Sequence, residues 1–349
     1  MTILPSTLSS TSAHDQARSS SVTPAVPFRI SVALCTYNGA RFLAHQLDSI
    51  MAQTRHPDEL VACDDGSTDE TLAILEQFRK RASFPVRIVS NDVRLGSTKN
   101  FEQAIRLCAG ELIATCDQDD FWLPEKLAIS EAAFASDPSR GLVFANADVV
   151  DADLRSIGHQ VWDSIHFGHL ARRRVRRGHA FEVLLRQWMV TGATMMFRAD
   201  YRPFVLPIPD IWVHDGWIAF IIGALAPVGM VERSTMKYRQ HAAQQIGGKR
   251  LNWKEFYERA REVGPSEFRL ACERFLLARQ RLQDFASRVR DPRFFPMVDR
   301  KVEHQKRRLA ISESPSRWQR VIWTLSELVQ GGYCHYSPSC AYFLKDMIL

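Results

Sequence analysis

Glu111-Leu112-Ile113-Ala114-Thr115-Cys116-Asp117-Gln118-Asp119-Asp120-Phe121-Trp122-Leu123-Pro124 decides how this chain reads. Its first six residues form a short apolar run suited to a buried strand, and the run ends abruptly in an acidic quartet. Carboxylates two residues apart at a strand end can grip a hard divalent cation. As a bare triplet, Asp-x-Asp carries little information. Placed at the end of an apolar strand and followed by Phe-Trp-Leu-Pro, it marks a site.

Working outward, the same alternation recurs. Residues 29–36 (RISVALCT), 59–63 (ELVAC), 86–89 (VRIV) and 141–145 (GLVFA) read as further strands. Between them lie helical patterns: Leu43, Leu47, Ile50 and Met51; then Ile74, Leu75 and Phe78; then Phe101, Ala104, Ile105 and Cys108. Ser67 with Glu70 has the form of a capping box, Ser97 suits a helix cap, and Pro124 suits a first helical turn. Strands alternating with helices at these lengths predict an α/β fold with a mainly parallel sheet and right-handed crossovers. Ligands bind beyond the carboxyl ends of such strands. Thr36-Tyr37-Asn38, Asp64-Asp65 and Asp117 to Asp120 all fall there. From 150 to 250 the pattern is less regular: a strand over 194–198, a loop entering a helix over 211–225, and a strand or strand pair over 228–238.

Composition sets the wider limits. The chain has 349 residues, 46% hydrophobic and 24% charged, as expected of a globular protein. No stretch approaches the ~18 apolar residues of a spanning helix. Residues 1–27, rich in Ser, Thr, Ala and Pro, lack a basic start and an apolar core, and read as a flexible tail rather than a secretory leader. The seven cysteines have no metal-finger spacing and read as buried reduced thiols suited to a reducing cytoplasm. The net charge of +6 lies wholly in residues 251–349, with 18 Lys/Arg against 12 Asp/Glu. A second basic run spans Arg172 to Arg177. Such asymmetry suits an anionic partner or a solvated basic face.

The ordered blocks CTYNGARFLAHQLDSIMAQT (35–54), CDDGSTDET (63–71), NDVRLGSTKNFEQAI (91–105), CDQDDFWLPEKL (116–127), TGATMMFR (191–198), HDGW (214–217) and YRQHAAQQIG (238–247) resemble glycosyltransferase family 2. They are most similar to its bacterial rhamnosyltransferase-like branch, which builds lipopolysaccharide and exopolysaccharide glycans. The resemblance covers residues 29–247 and implies a GT-A-type Rossmann-like sheet over 28–250, followed by a basic helical region over 251–349. It implies an inverting transfer from a dTDP- or UDP-sugar to a hydroxyl of a lipid-linked glycan, with Mn²⁺ or Mg²⁺ as cofactor.

Carried onto this sequence, the resemblance puts Thr36, Tyr37 and Asn38 in the nucleoside pocket, Asp65 on the base or ribose, and Lys99 facing the nucleotide. Asp117 would contact ribose or metal, Asp119 would be the main metal ligand, and His241 would approach the metal or diphosphate. Asp215 would be the general base, with Gly192, His214 and Trp217 on the acceptor side. Asp120 reads as a helix-entry residue, Asp64 as part of the turn before Gly66, and Trp122 and Trp217 also suit plain packing. The chain departs from the family at Gln244, where Asn is usual, and at Ala242, where Gly is usual.

The rival readings are a sugar-phosphate nucleotidyltransferase, which needs a basic glycine-rich loop that residues 36–40 do not supply, and a non-catalytic nucleotide-sugar-binding scaffold. The absence of a G-x-G-x-x-G turn excludes a nicotinamide dehydrogenase. Nucleic acid is not an expected partner, since no reading module is present. The C-terminal region suits a membrane-surface helix set burying Trp318, Val321, Ile322, Trp323 and Leu325, a homo-oligomer surface, or a cap on the catalytic domain. Together these features point to an enzyme peripheral on the cytoplasmic face of the cell membrane.

Overall fold

The computed structural model describes residues 27–241, 264–338 and 342–348. The carboxyl half of the 238–247 block, with Ala242 and Gln244, lies outside the described residues, as do the 250/251 domain boundary and nearly all of the N-terminal tail. Strands β1 (Ile30–Thr36), β2 (Glu59–Asp64), β3 (Val86–Ser90) and β4 (Leu112–Asp117) alternate with helices α1 (Ala40–Met51), α2 (Thr71–Arg81) and α3 (Ser97–Leu107). Every residue of β1 is buried, because β2 and β4 flank it in parallel. A strand covered on both faces reads as an unbroken apolar run, which is why β1 was visible in the sequence.

Beyond β4 the sheet turns mixed. After β5 (Phe121–Trp122) and α4 (Lys126–Ser136) come β6 (Leu142–Val150), β7 (Ser156–Gln160), α5 (Val161–Ser164), α6 (His169–Arg176), α7 (Ala180–Arg186), β8 (Met195–Arg198), α8 (Arg202–Val205), α9 (His214–Leu225) and β9 (Val228–Arg239). The strand order is β3-β2-β1-β4-β8-β6-β9-β5, with β7 on β6. Strand β8 runs antiparallel between β4 and β6, while β6 and β9 are parallel.

Register brings the polar ends together. Thr36 lies opposite Asp64, and Cys35 opposite Asp117. Because β8 is antiparallel to β4, the turn Gly192–Thr194 that precedes it stands at the carboxyl end of β4. There the Thr115 hydroxyl donates to the Gly192 carbonyl at 2.5 Å. Strand β9 ends on the same side, and β5 pairs with it just after the acidic quartet.

Among the described residues five helices follow: α10 (Pro265–Asp284), α11 (Phe294–Glu313), α12 (Arg317–Val329), α13 (Gly332–Tyr336) and α14 (Tyr342–Ile348). The first two share the core of the sheet domain. Ala278, Leu282, Phe294 and Val298 belong to the same apolar cluster as β1 and α9, and Phe294 stacks on Phe181 of α7 at 4.2 Å. Among the described residues no helix is long and apolar enough to cross a membrane.

Three local expectations give way to tertiary contacts. Ser67 does not cap α2: its N–H and hydroxyl donate to the Asp64 carboxylate, and the helix starts at Thr71, whose N–H and hydroxyl bond Asp69. Gly96, at φ 82°, takes the cap position of α3 in place of Ser97. Cys334, on α13, is disulfide-bonded, against the reading of all seven thiols as free; Cys35, Cys63, Cys108, Cys116 and Cys272 are free and buried. The Arg172–Arg177 run lies mostly on α6, where Arg172 and Arg176 pair with Glu232 of β9.

Candidate active site

The acidic quartet is divided by how it is held. Asp120 is fully buried, and its Oδ1 accepts the Arg239 backbone N–H at 3.0 Å, while Oδ2 has no partner. It is therefore a core carboxyl on β9's flank rather than the helix-entry residue expected, since α4 starts only at Lys126. Burial first, then the charges of Asp119 and Asp117, push its carboxyl far above the usual range. The Arg239 guanidinium, also fully buried, reaches the Asp119 carbonyl at 2.6 Å and lies over the Phe42 ring. Asp119 points the other way, its Oδ2 2.8 Å from Nε2 of His241. The sequence had linked these two residues only through the family resemblance.

Asp117 closes β4. Burial pushes its carboxyl up to about 7, and the charges of Asp119 and Asp215 add to the effect. Asp215, in the first turn of α9, is likewise buried and raised to about 6. Desolvation dominates there, opposed by hydrogen bonds from Gly216, Gly192 and Trp188. The Gly192 N–H meets Asp215 Oδ2 at 2.9 Å, so the β8 turn ties the α9 carboxylate to the end of β4. Four carboxylates thus converge, while the facing cations buried with them are Lys126 and Arg239. Lys126 donates to the Ala193 carbonyl at 2.9 Å, and its burial lowers it to about 8.

This donor set fits a hard divalent cation. Asp119 offers carboxylate oxygen and His241 imidazole nitrogen 2.8 Å from it, and Asp117, raised to about 7 by burial and then by Asp119 and Asp215, is a second carboxyl whose ionisation a cation would favour. Among the described residues no three His, Cys, Asp or Glu side chains stand together as a finished metal cage.

On the neighbouring strand end, Tyr37 is clamped by a residue the sequence did not single out. Gln118 accepts from the Tyr37 N–H at 2.8 Å and donates to its carbonyl at 3.0 Å. Gly39 leaves room for it, because a Cβ there would sit 2.1 Å from Gln118 Oε1 and would push the amide out of the clamp. Arg94 lies 3.9 Å over the Tyr37 ring. Asn38, at φ 45°, accepts from Thr68 N at 2.9 Å, and Thr36 donates to Asp64 at 2.8 Å. Asp64 is thus a turn residue, as expected.

Other expected positions are occupied differently. Asp65 is buried and already accepts from Leu95 N, Gly96 N and Asn91 Nδ2 at 2.7–3.0 Å, so it fastens the 91–96 loop. Lys99 was expected to face the nucleotide. Its ammonium instead meets Glu102, the Ile208 carbonyl and Asp210, joining α3 to the segment before α9. Trp217 was expected on the acceptor side. It is fully buried, with its indole N–H on the Val205 carbonyl at 2.7 Å, and so acts in packing. His214 is buried against Phe101, ring centroids 3.9 Å apart, and neither ring nitrogen has a partner. That desolvation drops it to about 3, so it is neutral.

Residues 31–200 match the family described as Glycosyl transferase family 2. The match takes in the Tyr37 clamp and the acidic quartet and stops before Asp215. An uncharacterized glycosyltransferase of Nostoc sp. is 25% identical over 327 residues, spanning 92% of this chain and 94% of its own. Residues 31–200 form a glycosyltransferase family 2 domain.

Chondroitin synthase of Escherichia coli is 33% identical to the glycosyltransferase over 126 residues, which is 36% of this chain and 18% of that one. The structure of S. aureus TarS in complex with UDP-GlcNAc is similar with a TM-score of 0.56 at 15% identity, over 92% of this chain and 88% of that one. That likeness extends the fold comparison to the C-terminal helices. Lys126, Arg239 and Gln118 are site residues that sequence reasoning did not single out; the one available signal was their position inside the matched blocks.

Proposed function

We propose that this chain is an inverting, divalent-metal-dependent glycosyltransferase that moves a sugar from a nucleoside-diphosphate-sugar to a hydroxyl of a lipid-linked glycan at the cytoplasmic face of the membrane. The observation that carries the reading is the meeting of Asp117, at the end of β4, and Asp119, just beyond it, with Asp215 on α9, which the Gly192 N–H ties to that strand end. An inverting transfer is one in-line displacement at the anomeric carbon, so one carboxylate must take the acceptor proton. Asp215 suits that task. Its two hydrogen bonds to Gly192 and Gly216 N–H groups fix its direction, and its raised pKa of about 6 leaves it ionised and basic near neutral pH.

Asp119 and His241, with Asp117, would hold Mn²⁺ or Mg²⁺, which when bound supplies Lewis-acid stabilisation of a departing diphosphate. The Tyr37 ring and the Thr36–Asn38 backbone, locked by Gln118 and Thr68, would line the nucleoside pocket. TarS, with UDP-GlcNAc, supports a nucleotide-sugar donor. A dTDP- or UDP-linked donor carrying rhamnose is the first to test, on the strength of the ordered blocks, and surface-polysaccharide synthesis is the corresponding pathway class.

The test is transfer and donor hydrolysis across a panel of nucleotide sugars, with and without Mn²⁺ or Mg²⁺. The expected result is metal-stimulated turnover of one donor, lost in Asp119→Ala. A chain that binds no nucleotide sugar would overturn the reading, and full transfer by Asp215→Asn would remove the base assignment alone.

A further inference from the structure

Helix α12 is amphipathic in the wrong sense for a surface helix. The residues it turns into the protein are polar: Thr324 and Glu327 are its buried side chains, with Glu327 held by His304 at 2.6 Å and Arg307 at 2.7 Å. The residues it turns outward are apolar. Trp318 is 79% exposed, Ile322 61%, Leu325 44% and Val329 87%. These four recur at spacings of four, three and four, which is one continuous stripe on a helix. Trp323 widens the stripe, and Leu344 of the adjoining α14 is also exposed. A soluble surface helix normally does the reverse, and a contiguous exposed apolar patch marks a binding surface.

We propose that this outward face of α12 docks on an anionic lipid bilayer; the proposal rests on the reading of a membrane-borne acceptor and deepens it. Charge selects the occupant. Glu327, the helix's one acid, is turned inward and paired, so the outer face offers no carboxylate. Arg317 and Arg320 lie in the first turn, and residues 264–349 carry 15 Lys/Arg against 9 Asp/Glu. At 13 residues the helix is too short to span a bilayer, so it lies in the interface plane. Trp318 and Trp323 suit the headgroup level, where one end of an indole is apolar and the other wet. A second copy would present the same carboxylate-free, cation-bearing face, whereas an anionic bilayer answers both its charge and its apolar stripe.

The test is flotation of the full chain with phosphatidylcholine vesicles, with and without phosphatidylglycerol. The chain is expected to float with the anionic vesicles, and less so at high salt. Trp318→Ser/Ile322→Ser/Val329→Ser should cut flotation by about tenfold or more, because the buried apolar area drives interfacial binding. Arg317→Gln/Arg320→Gln should cut it several-fold. Both variants should keep wild-type donor hydrolysis in solution, which separates loss of docking from loss of the enzyme. Three results would overturn the proposal: no flotation of the wild type on either vesicle, equal flotation of the triple variant, or a wild-type dimer that the triple variant reduces to monomer without any flotation. Failure of all donor hydrolysis with flotation intact would instead strike the functional reading.

Discussion

The molecule holds two clusters of buried charge, and it settles them in opposite ways. Among the described C-terminal helices the two buried carboxylates, Asp346 and Glu327, are both paired: Arg308 grips Asp346 through two bonds of 2.6 and 2.9 Å, Tyr333 adds its hydroxyl at 2.7 Å, and His304 sits between Glu327 and Ser337. At the carboxyl end of β4, by contrast, Asp117, Asp120 and Asp215 are all pushed upward by desolvation, and Asp120 keeps one oxygen without a partner. A paired cluster is complete in the folded chain. An underpaired one is costly alone and is relieved by a ligand, so it marks where chemistry is done. The comparison predicts that substitutions in one cluster strike activity and in the other stability.

The largest effect is expected at the underpaired cluster. Asp119→Ala should lower kcat/KM by roughly 10³-fold, since it removes a ligand of the charge-stabilising cation. Asp215→Asn should lower kcat by about 10²–10⁴-fold by removing the proton acceptor. Both variants should keep the wild-type circular dichroism and melting cooperativity. An Asp119→Ala enzyme with near-normal turnover would mean that the acid excess serves structure after all.

The paired cluster should behave in the opposite way. Asp346→Ala leaves the Arg308 guanidinium buried and uncompensated, which typically costs about 3–5 kcal/mol. Denaturant titration should show that loss, while kcat per folded molecule stays near the wild type. If activity fell without loss of stability, the helical region would have a direct part in the reaction.

How far these clusters could be read in advance depends on distance along the chain. The end of β4 was legible because an apolar strand and its acidic terminus are contiguous, whereas Asp215 of α9 entered only through the resemblance of the His-Asp-Gly-Trp block. The clamp of Gln118 on Tyr37 spans 81 residues, and the bond of Arg239 N to Asp120 spans 119. No local period announces such pairs. Residue type also gave chemistry without direction: Lys99 and Trp217 suit a ligand, yet one is consumed by Glu102 and Asp210 and the other by the core. The Ser67 cap failed because its hydroxyl donates to Asp64 and accepts from the Asn38 N–H, and the helix begins only at Thr71. The inverted face of α12 was visible as a set of apolar residues, but which side faced the protein was not.

pH sharpens the contrast further. Asp215 is raised from an ordinary 3.8 to about 6, so the folded state holds its proton more tightly than the unfolded chain. The stability from that proton is fully present below about 3.8 and is lost as pH rises through about 6. Asp215→Asn should therefore be more stable than the wild type at pH 7, by about 1–3 kcal/mol, and the gain should vanish toward pH 4. Turnover needs the ionised base, so wild-type kcat should fall as pH drops below about 6, approaching tenfold per unit. A variant that is less stable at pH 7 would show that hydrogen bonding outweighs desolvation at this carboxyl.

The smallest effect tests the joint between β8 and α9. Gly192 donates its N–H to Asp215 and accepts the Thr115 hydroxyl on its carbonyl, so its backbone is held from both sides. A Cβ at this position would come within 2.6 Å of the His214 ring nitrogen and 3.5 Å of Asp215 Cβ. His214 has little room to retreat, because its ring is stacked on Phe101. Gly192→Ala should therefore displace the base slightly without unfolding the chain, lowering kcat by about tenfold while the donor KM stays within twofold or so. Adding His214→Ala should open space for the methyl group and recover part of that loss, giving a coupling energy of opposite sign to the two single effects. If the double variant is no better than the product of the singles, the His214 ring does not transmit the strain, and Gly192 acts on Asp215 through its N–H alone.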